Sequence, residues 1–532
     1  MRKNRILRLV SLALVAIMLT CAVGCDISSV FSEIDAATSE PNYLGSKKTD
    51  KNAAENVERA ESGTDSLGEP MFESALPYGE LDFDGEEISI LFRNNIRHSR
   101  EWYKDSPEDE LDESIYLRNN EIKQALNVRL VWNGIKSSGS NYDEYNLRLE
   151  SAVVKDVNNG THEYDIVASP ACSTAQITIR DCAANLLDEE LFPYFDFSLP
   201  CWNQSIVENT IVNGQLFYVA GDVNLSMLDS ACVVWHNRTL YDKKRSEDDP
   251  EDLQKSAIRG EWTYDELYRW TSVFYEIEEN NNLYALTLDR SASVTNDAFA
   301  YAWDLDFIIT NSDGTHTTDY MDNSKAENAL EMFRSLFNKK GTYDKEGMRR
   351  FVKGTSIFCI DKMYSGAGEN TSMREMADKY ALLPMPKYNL DQDEYATTAD
   401  DDFTLMLVID HSDSSVRIKG EAVSAFLQAM NEKTREDVLA YYCMRIVKPK
   451  LFGYSSDYYD TMNTIFSIVV DSVKFDYDRI YSPQLGDISH IWRIAANSES
   501  NQTVEDVYIN NASGYGDTIR ELDIWFGIDG NS

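Results

Sequence analysis

Beyond its N-terminus the chain has no apolar run approaching the ~20 residues of a membrane helix, so its body is not expected to span a bilayer. Basic residues are scarce, 50 against 90 acidic ones, for a formal net charge of −40. A body this acidic repels phosphate backbones and carries no basic stripe, which excludes nucleic acid as a partner. It also repels anionic lipid, so any membrane link must be covalent. The acidity fits a soluble monomer and says nothing of the fold. Catalytic signatures are missing too. His98, His162, His236, His316, His411 and His490 show no HExxH and no clustered ligand spacing. There is no GxSxG elbow and no P-loop, and Gly366-Ala367-Gly368 lacks the third glycine of a dinucleotide fingerprint. With so many acidic residues, carboxylate pairs arise by chance and carry no information. Cys172, Cys182, Cys201, Cys232, Cys359 and Cys443 have no CxxC spacing and do not suggest a metal site. Cys172–Cys182 or Cys182–Cys201 disulfides are open alternatives to buried free thiols. No catalytic residue, metal or cofactor is expected.

What is present begins with the first 26 residues, MRKNRILRLVSLALVAIMLTCAVGCD. Arg2, Lys3, Arg5 and Arg8 form a basic n-region, Leu9 to Leu19 an apolar h-region, and small residues lead to Cys25. The layout is a secretory signal peptide, its apolar run too short for a stable membrane helix. Its ending resembles a bacterial lipobox, with Ala22 where Leu is usual, and this makes Cys25 the expected lipidated first residue. Removing residues 1–24 takes away those four positive charges and moves the net charge from −40 to −44. The expected location is the outer face of the cell membrane, held by a lipid anchor.

From Asp26 to about Glu73 the chain is polar, with Phe31, Tyr43 and Phe72 its only aromatics, and cannot bury enough apolar surface to offset ordering entropy. It reads as a flexible tether. Strand and helix signals alternate after it. EISILF (87–92), VRLVW (128–132) and YDIVAS (164–169) are expected strands, separated by helices over Ser114–Leu126 and Tyr145–Val157. QLFYVAG (215–221) and ACVVWHN (231–237) are two more. Thr263 with Glu266, and Ser324 with Glu327, are capping boxes. Asp313-Gly314 between FIIT and TTDYM is a hairpin turn. SIFCID (356–361), YALLPMP (380–386) and FTLMLVID (403–410) are expected strands, and 416–442 a long helix. The alternation predicts parallel sheets with crossover helices, and about 500 mature residues predict two lobes. No internal repeat is present, which argues against a repeat-built adhesin.

Four segments resemble the extracellular solute-binding proteins of family 1, the sugar-type receptors of ABC importers. They are LDFDGEEISILFR with SIYLRNNEIKQALNVRL, then YDIVASP, then LPCWNQSIVENTIVNGQLFYVAGDVNLSMLDSACVVWHNRTLYD, and GEWTYDELYRW. With VKGTSIFCID and the helix after VIDHSDS they span roughly residues 80–445. The resemblance implies an α/β, two-lobed periplasmic-binding-protein-like clamp of class II type, with a doubly wound sheet in each lobe. Chain crossings are implied near Gly221–Asn224, Ala399–Asp402 and Lys450. The implied division is a signal peptide (1–24), the lipidated Cys25 and linker (25–77), lobe 1 (78–221 plus 399–450) and lobe 2 (222–398 plus 451–532). It also implies capture of an oligosaccharide and its delivery to ABC permease subunits with a cytoplasmic ATPase. A surface-anchored glycoside hydrolase and a non-catalytic glycan-adhesion lipoprotein are the alternatives.

A sugar offers hydroxyls and flat C–H faces, so its receptor needs aromatic platforms and fixed polar groups. Arg93, Asn94 and Asn95 follow the first strand, and Ser169 ends the third. Asp222 and Asn224 lie at the first crossing, and Asp400, Asp401 and Asp402 at the second. The Asp run reads equally as a solvated turn or a weak cation site. Trp303 and Asp304 follow VTNDAFAY, Tyr364 and Ser365 follow SIFCIDKM, and Trp492 sits in HIWRIA. These are the candidate ligand contacts, each weighed against a plain core or surface role.

Overall fold

The computed structural model describes residues 72–528 except 96, 138–141, 277–281, 291–292, 368–372, 374–375, 412–418, 448–455, 498–501 and 512–513. The signal peptide, Cys25 and almost all of the tether therefore lie outside the described residues, as does the third expected crossing at Lys450. The described residues all belong to one unit, Arg59–Ser532.

Strand β1 (Glu86–Asn94) is buried from Ile88 to Arg93. Its alternate side chains enter two cores, Ile88, Ile90 and Phe92 on one side and Leu91 on the other. A strand buried on both faces belongs in the middle of a sheet with helices on each side. It pairs in parallel with β2 (Val128–Lys136) and β3 (Ile166–Pro170). Helices Glu110–Leu126 and Gly420–Asp437 place Ile122, Leu126, Val423 and Phe426 on one face. Helices Tyr142–Asn159 and Ala171–Thr178 place Tyr145, Leu149, Val153 and Ala175 on the other. The first sheet is thus doubly wound.

The second sheet contains β4 (Cys232–Asn237), β5 (Tyr275–Glu276), β6 (Leu283–Leu288), β9 (Thr342–Tyr343), β10 (Ser356–Lys362) and β11 (Tyr380–Leu383). Its order is β11-β4-β10-β6-β5, with β9 beside β6. Strands β7 (Ile308–Thr310) and β8 (His316–Thr318) form a separate hairpin, turned by Gly314 at φ +83°. The chain then returns to the first sheet as β12 (Thr404–Val408), antiparallel to β3, giving the order β12-β3-β1-β2.

Some local expectations change. QLFYVAG is no strand: only Val219 bonds across to Met406, at 2.9 Å in each direction, before the chain leaves the edge of the sheet. Helix Ser324–Phe337 is capped one residue early by Asn323, whose side chain accepts the Ala326 N–H at 2.9 Å. Thr263 is an N-cap, but its side chain makes no cap bond. The long C-terminal helix is two, Gly420–Asp437 and Leu439–Val447, separated at Val438. The tail forms five helices among the described residues, from Ser456–Asp471 to Tyr515–Trp525. None of the six cysteines forms a disulfide. Among the described residues no helix is long and apolar enough to cross a membrane, and no metal-binding cluster occurs.

Candidate functional site

Both sheets present their carboxyl ends to the segments that join them. β1 ends at Arg93 and Asn94, β3 ends at Pro170 beside Thr404 of β12, and β10 ends at Lys362. The first passage, Gly221 to Ala231, is admitted by a glycine: a Cβ at Gly221 would stand 2.2 Å from Asn431 Oδ1 and 2.5 Å from the Cys201 carbonyl oxygen. The returning passage runs beside it, with Ala231 bridged to Ala399 and the Cys232 N–H donating to the Thr398 carbonyl at 3.0 Å. A third segment joins them where the Lys474 N–H donates to the Thr397 carbonyl and the Thr397 N–H to Ser472, both at 2.8 Å. Strand ends that converge on connecting segments form the crevice where open α/β sheets take ligands.

A cavity of about 440 Å³ opens there. Arg93, Ala171 and Cys172 contribute from the first sheet's side, and Asp401, Asp402 and Phe403 from the second passage. Phe475, Arg479, Ser482, Asp487 and His490 come from the tail. Phe403 and Phe475 stack at 4.3 Å between centroids and, both fully buried, pack beneath the cavity.

The three aspartates are taken up by different cations. Lys362 pairs with Asp400, and Arg479 with Asp401 at 2.8 Å. Arg97 pairs with Asp402 at 3.4 Å and Arg93 lies 3.8 Å from the same carboxylate. Arg93 also donates to Ser137 Oγ at 3.1 Å and to the Asp402 carbonyl at 3.1 Å. Burial works against the Arg97 charge, but Asp402 and Asp229 more than offset it and raise its pKa. Burial likewise opposes the Asp400 charge, and Lys362 reverses that effect, so Asp400 titrates below its usual range. This ion pairing replaces the solvated turn and the weak cation site as accounts of the run.

Of the sequence candidates, Arg93, Asp400, Asp401 and Asp402 line the cavity. Asn95 shapes the loop beside it, its Oδ1 accepting the N–H groups of Arg97 and His98 at 3.1 and 3.0 Å. Asn94 is half-buried against Gly134 of β2. Tyr364 is 42% exposed, with the Arg97 guanidinium 5.6 Å from its ring centroid; Ser365 follows it, half-buried and bonded to Asp361.

Other residues lie elsewhere. Trp303 and Trp492 are core rather than platforms: both are fully buried, Trp303 against Phe299 and Tyr264, Trp492 against Phe333. The Trp492 indole N–H is spent on the Asn296 carbonyl at 2.8 Å. Asp304 is a left-handed residue after a helix, paired with Lys325 at 3.4 Å. Asp222 is buried in an ion pair with Arg435 at 2.6 Å. Asn224 is buried with its Oδ1 accepting the Gly221 N–H at 2.9 Å, and Ser169 is buried with its hydroxyl 2.7 Å from Thr174 Oγ1. These three hold the crossing and the strand end in shape.

Sequence reasoning missed Arg97, Lys362, Arg479, Arg493, Phe403 and Phe475. Arg97 and Lys362 follow strands and were reachable by the logic that found Arg93. Arg479 and Arg493 meet Asp297 from the tail, at 2.5 Å for each, and no periodic pattern marks them.

The fold is similar to that of the cyclic alpha-maltosyl-1,6-maltose binding protein from Arthrobacter globiformis, with a TM-score of 0.53, 14% identity, and coverage of 82% of this chain and 100% of that one. It is also similar to that of the sugar-binding protein MalE from Xanthomonas citri, with a TM-score of 0.51, 10% identity, and coverage of 83% and 97%. No protein-family model and no curated protein matches the sequence. The chain therefore has the two-lobed, periplasmic-binding-protein-like α/β fold with open, doubly wound sheets.

Proposed function

We propose that this chain is an exported solute receptor that binds a carbohydrate without turnover and passes it to an ABC importer. Its lobes are residues 78–221 with 399–450 and residues 222–398 with 451–532. The observation that carries the reading is the cavity at the converging strand ends, where Arg93, Asp401, Asp402, Ser482, Asp487 and His490 gather above the buried Phe403–Phe475 stack. Fixed polar groups held over a packed apolar base suit a ligand that presents hydroxyls. The two similar structures, a cyclic alpha-maltosyl-1,6-maltose binding protein and a sugar-binding protein, point the same way.

The test is a thermal-shift screen against linear and cyclic α-glucan oligosaccharides, followed by product analysis. A bound ligand raises the melting temperature by mass action, by about 2.7 kcal/mol of added stability at a hundredfold excess over Kd. A concentration-dependent shift with intact glycan supports the receptor; specific cleavage supports the hydrolase instead. The anchor is tested separately. Cys25→Ala is expected to release the protein into the medium unlabelled by lipid, and a variant that stays labelled and bound removes Cys25 from the reading.

A further inference from the structure

Glu101 lies in the short helix His98–Trp102 behind the Arg93–Arg97 loop and is fully buried, outside the cavity lining. One of its oxygens accepts the Ser226 backbone N–H at 2.8 Å and the other accepts the Thr404 hydroxyl at 2.5 Å. Ser226 belongs to the first passage between the sheets, and Thr404 ends the second. The two passages also bond to each other here: the Thr404 N–H donates to Ser226 Oγ at 3.0 Å, and the Ser226 hydroxyl to Thr404 Oγ1 at 3.2 Å. One carboxylate therefore ties together two of the segments whose dihedral angles a relative movement of the lobes changes.

We propose that Glu101 is a proton-operated pin of the inter-lobe hinge: ionised, it clamps both passages, and protonated, it loosens them. The ionised group receives two charge-assisted hydrogen bonds, each about twice as strong as a neutral one. The protonated group gives one neutral bond and receives one. Burial pushes Glu101 up to about 7, against the Thr404 and Ser226 hydrogen bonds that favour the anion. The change of state therefore falls in the neutral range.

Charged groups face Glu101 from several elements. Asp229 faces it from the same helix of the first passage as Ser226, Leu225–Ser230, and Arg97 from the loop before its own helix. Arg118, from helix Glu110–Leu126, donates to the Glu101 carbonyl at 2.9 Å, and burial lowers its pKa only to about 9. His98 is held neutral by burial and by Arg93 and Arg97, which take it down to about 2. Asp402 stands on the second passage, paired to Arg97. Asp437 acts on Arg118 from helix Gly420–Asp437 and is itself raised by burial to about 6, so a variant must separate the two groups.

Hydrogen exchange between pH 5.5 and 8.5, corrected for intrinsic rates and without ligand, reads the hinge directly. Hinge opening breaks the two bonds to the Glu101 carboxylate but leaves the carboxyl buried, so, unlike global unfolding, the opened hinge binds the proton more tightly than the closed one. In the native chain, protection of peptides covering 219–231 and 399–406 is therefore expected to rise about tenfold as pH increases from about 7. Glu101→Gln, whose amide gives one bond and receives one like the protonated acid, is expected to stay at the low-pH level throughout. Thr404→Val removes a bond that favours the anion and is expected to move the midpoint upward. Flat protection in the native chain, or an unchanged pH dependence in Glu101→Gln, overturns the proposal. The inference rests on the receptor reading for its use alone: the assay contains no sugar, so a failed glycan screen and a failed pin are distinguishable.

Discussion

Asp400, Asp401 and Asp402 are adjacent in sequence, yet Lys362, Arg479 and Arg97 each take a different one, because the passage turns between two lobes and a tail. That partition was not legible in the sequence, since Arg479 comes from a four-residue helix with no apolar periodicity to announce it. Arg93 was legible, because a residue at the carboxyl end of a buried parallel strand faces a crevice whatever its partners are. The tryptophans went the other way: a single Trp in an amphipathic helix does not reveal which face carries it, and both candidates face the core. Trp492→Ala is accordingly expected to cost about 3–5 kcal/mol of unfolding free energy in urea titrations. Tyr364→Ala, at an exposed ring, is expected to cost about 1 kcal/mol at most. Loss of sugar affinity in Trp492→Ala at unchanged stability would return that residue to the ligand.

At the scale of elements, the strands buried on both faces were the most legible, because a continuous apolar run such as ISILF has no other stable place. QLFYVAG is also largely apolar but meets β12 at one residue, Val219, and its length is used to reach the next lobe. Apolar content cannot distinguish a ladder from a crossing. The helix ends that moved did so because Asn323 outcompetes Ser324 as a cap. The short helix carrying Glu101 makes a prediction of its own. Its carboxyl is pushed up to about 7 in the folded chain, against an ordinary glutamate value of 4.5, because burial disfavours the charge. Between those values the folded chain holds a proton that the unfolded chain has released, so stability falls as pH rises from about 4.5 to 7 and levels above it. Glu101→Gln removes this term. Relative to the native chain it is expected to gain on the order of 3 kcal/mol between pH 4.5 and 8 in denaturant titrations. A difference that does not change with pH would mean that Glu101 is ionised in both states.

At the scale of the molecule, the receptor reading makes ligand binding and lobe closure one equilibrium. A ligand held only by the first sheet's strand ends would have equal affinity for every arrangement of the lobes and would shift nothing. Closure follows only if the second lobe adds contacts, and the group placed to add one is Tyr364, exposed and facing Arg97 of the opposite loop. Saturating oligosaccharide is therefore expected to lower the radius of gyration in solution scattering, as hinged passages at Gly221–Ala231 and Ala399–Phe403 swing one sheet toward the other. Tyr364→Ala is expected to weaken binding about fivefold and to reduce the compaction with it, because the lost contact belongs to the closed state alone. If the variant lost affinity while closing fully, the ring would be acting in both arrangements. If the native chain bound tightly with no change in radius, the lobes would be rigid and the cavity would lie within a fixed crevice. The two measurements together separate where the ligand binds from what its binding moves.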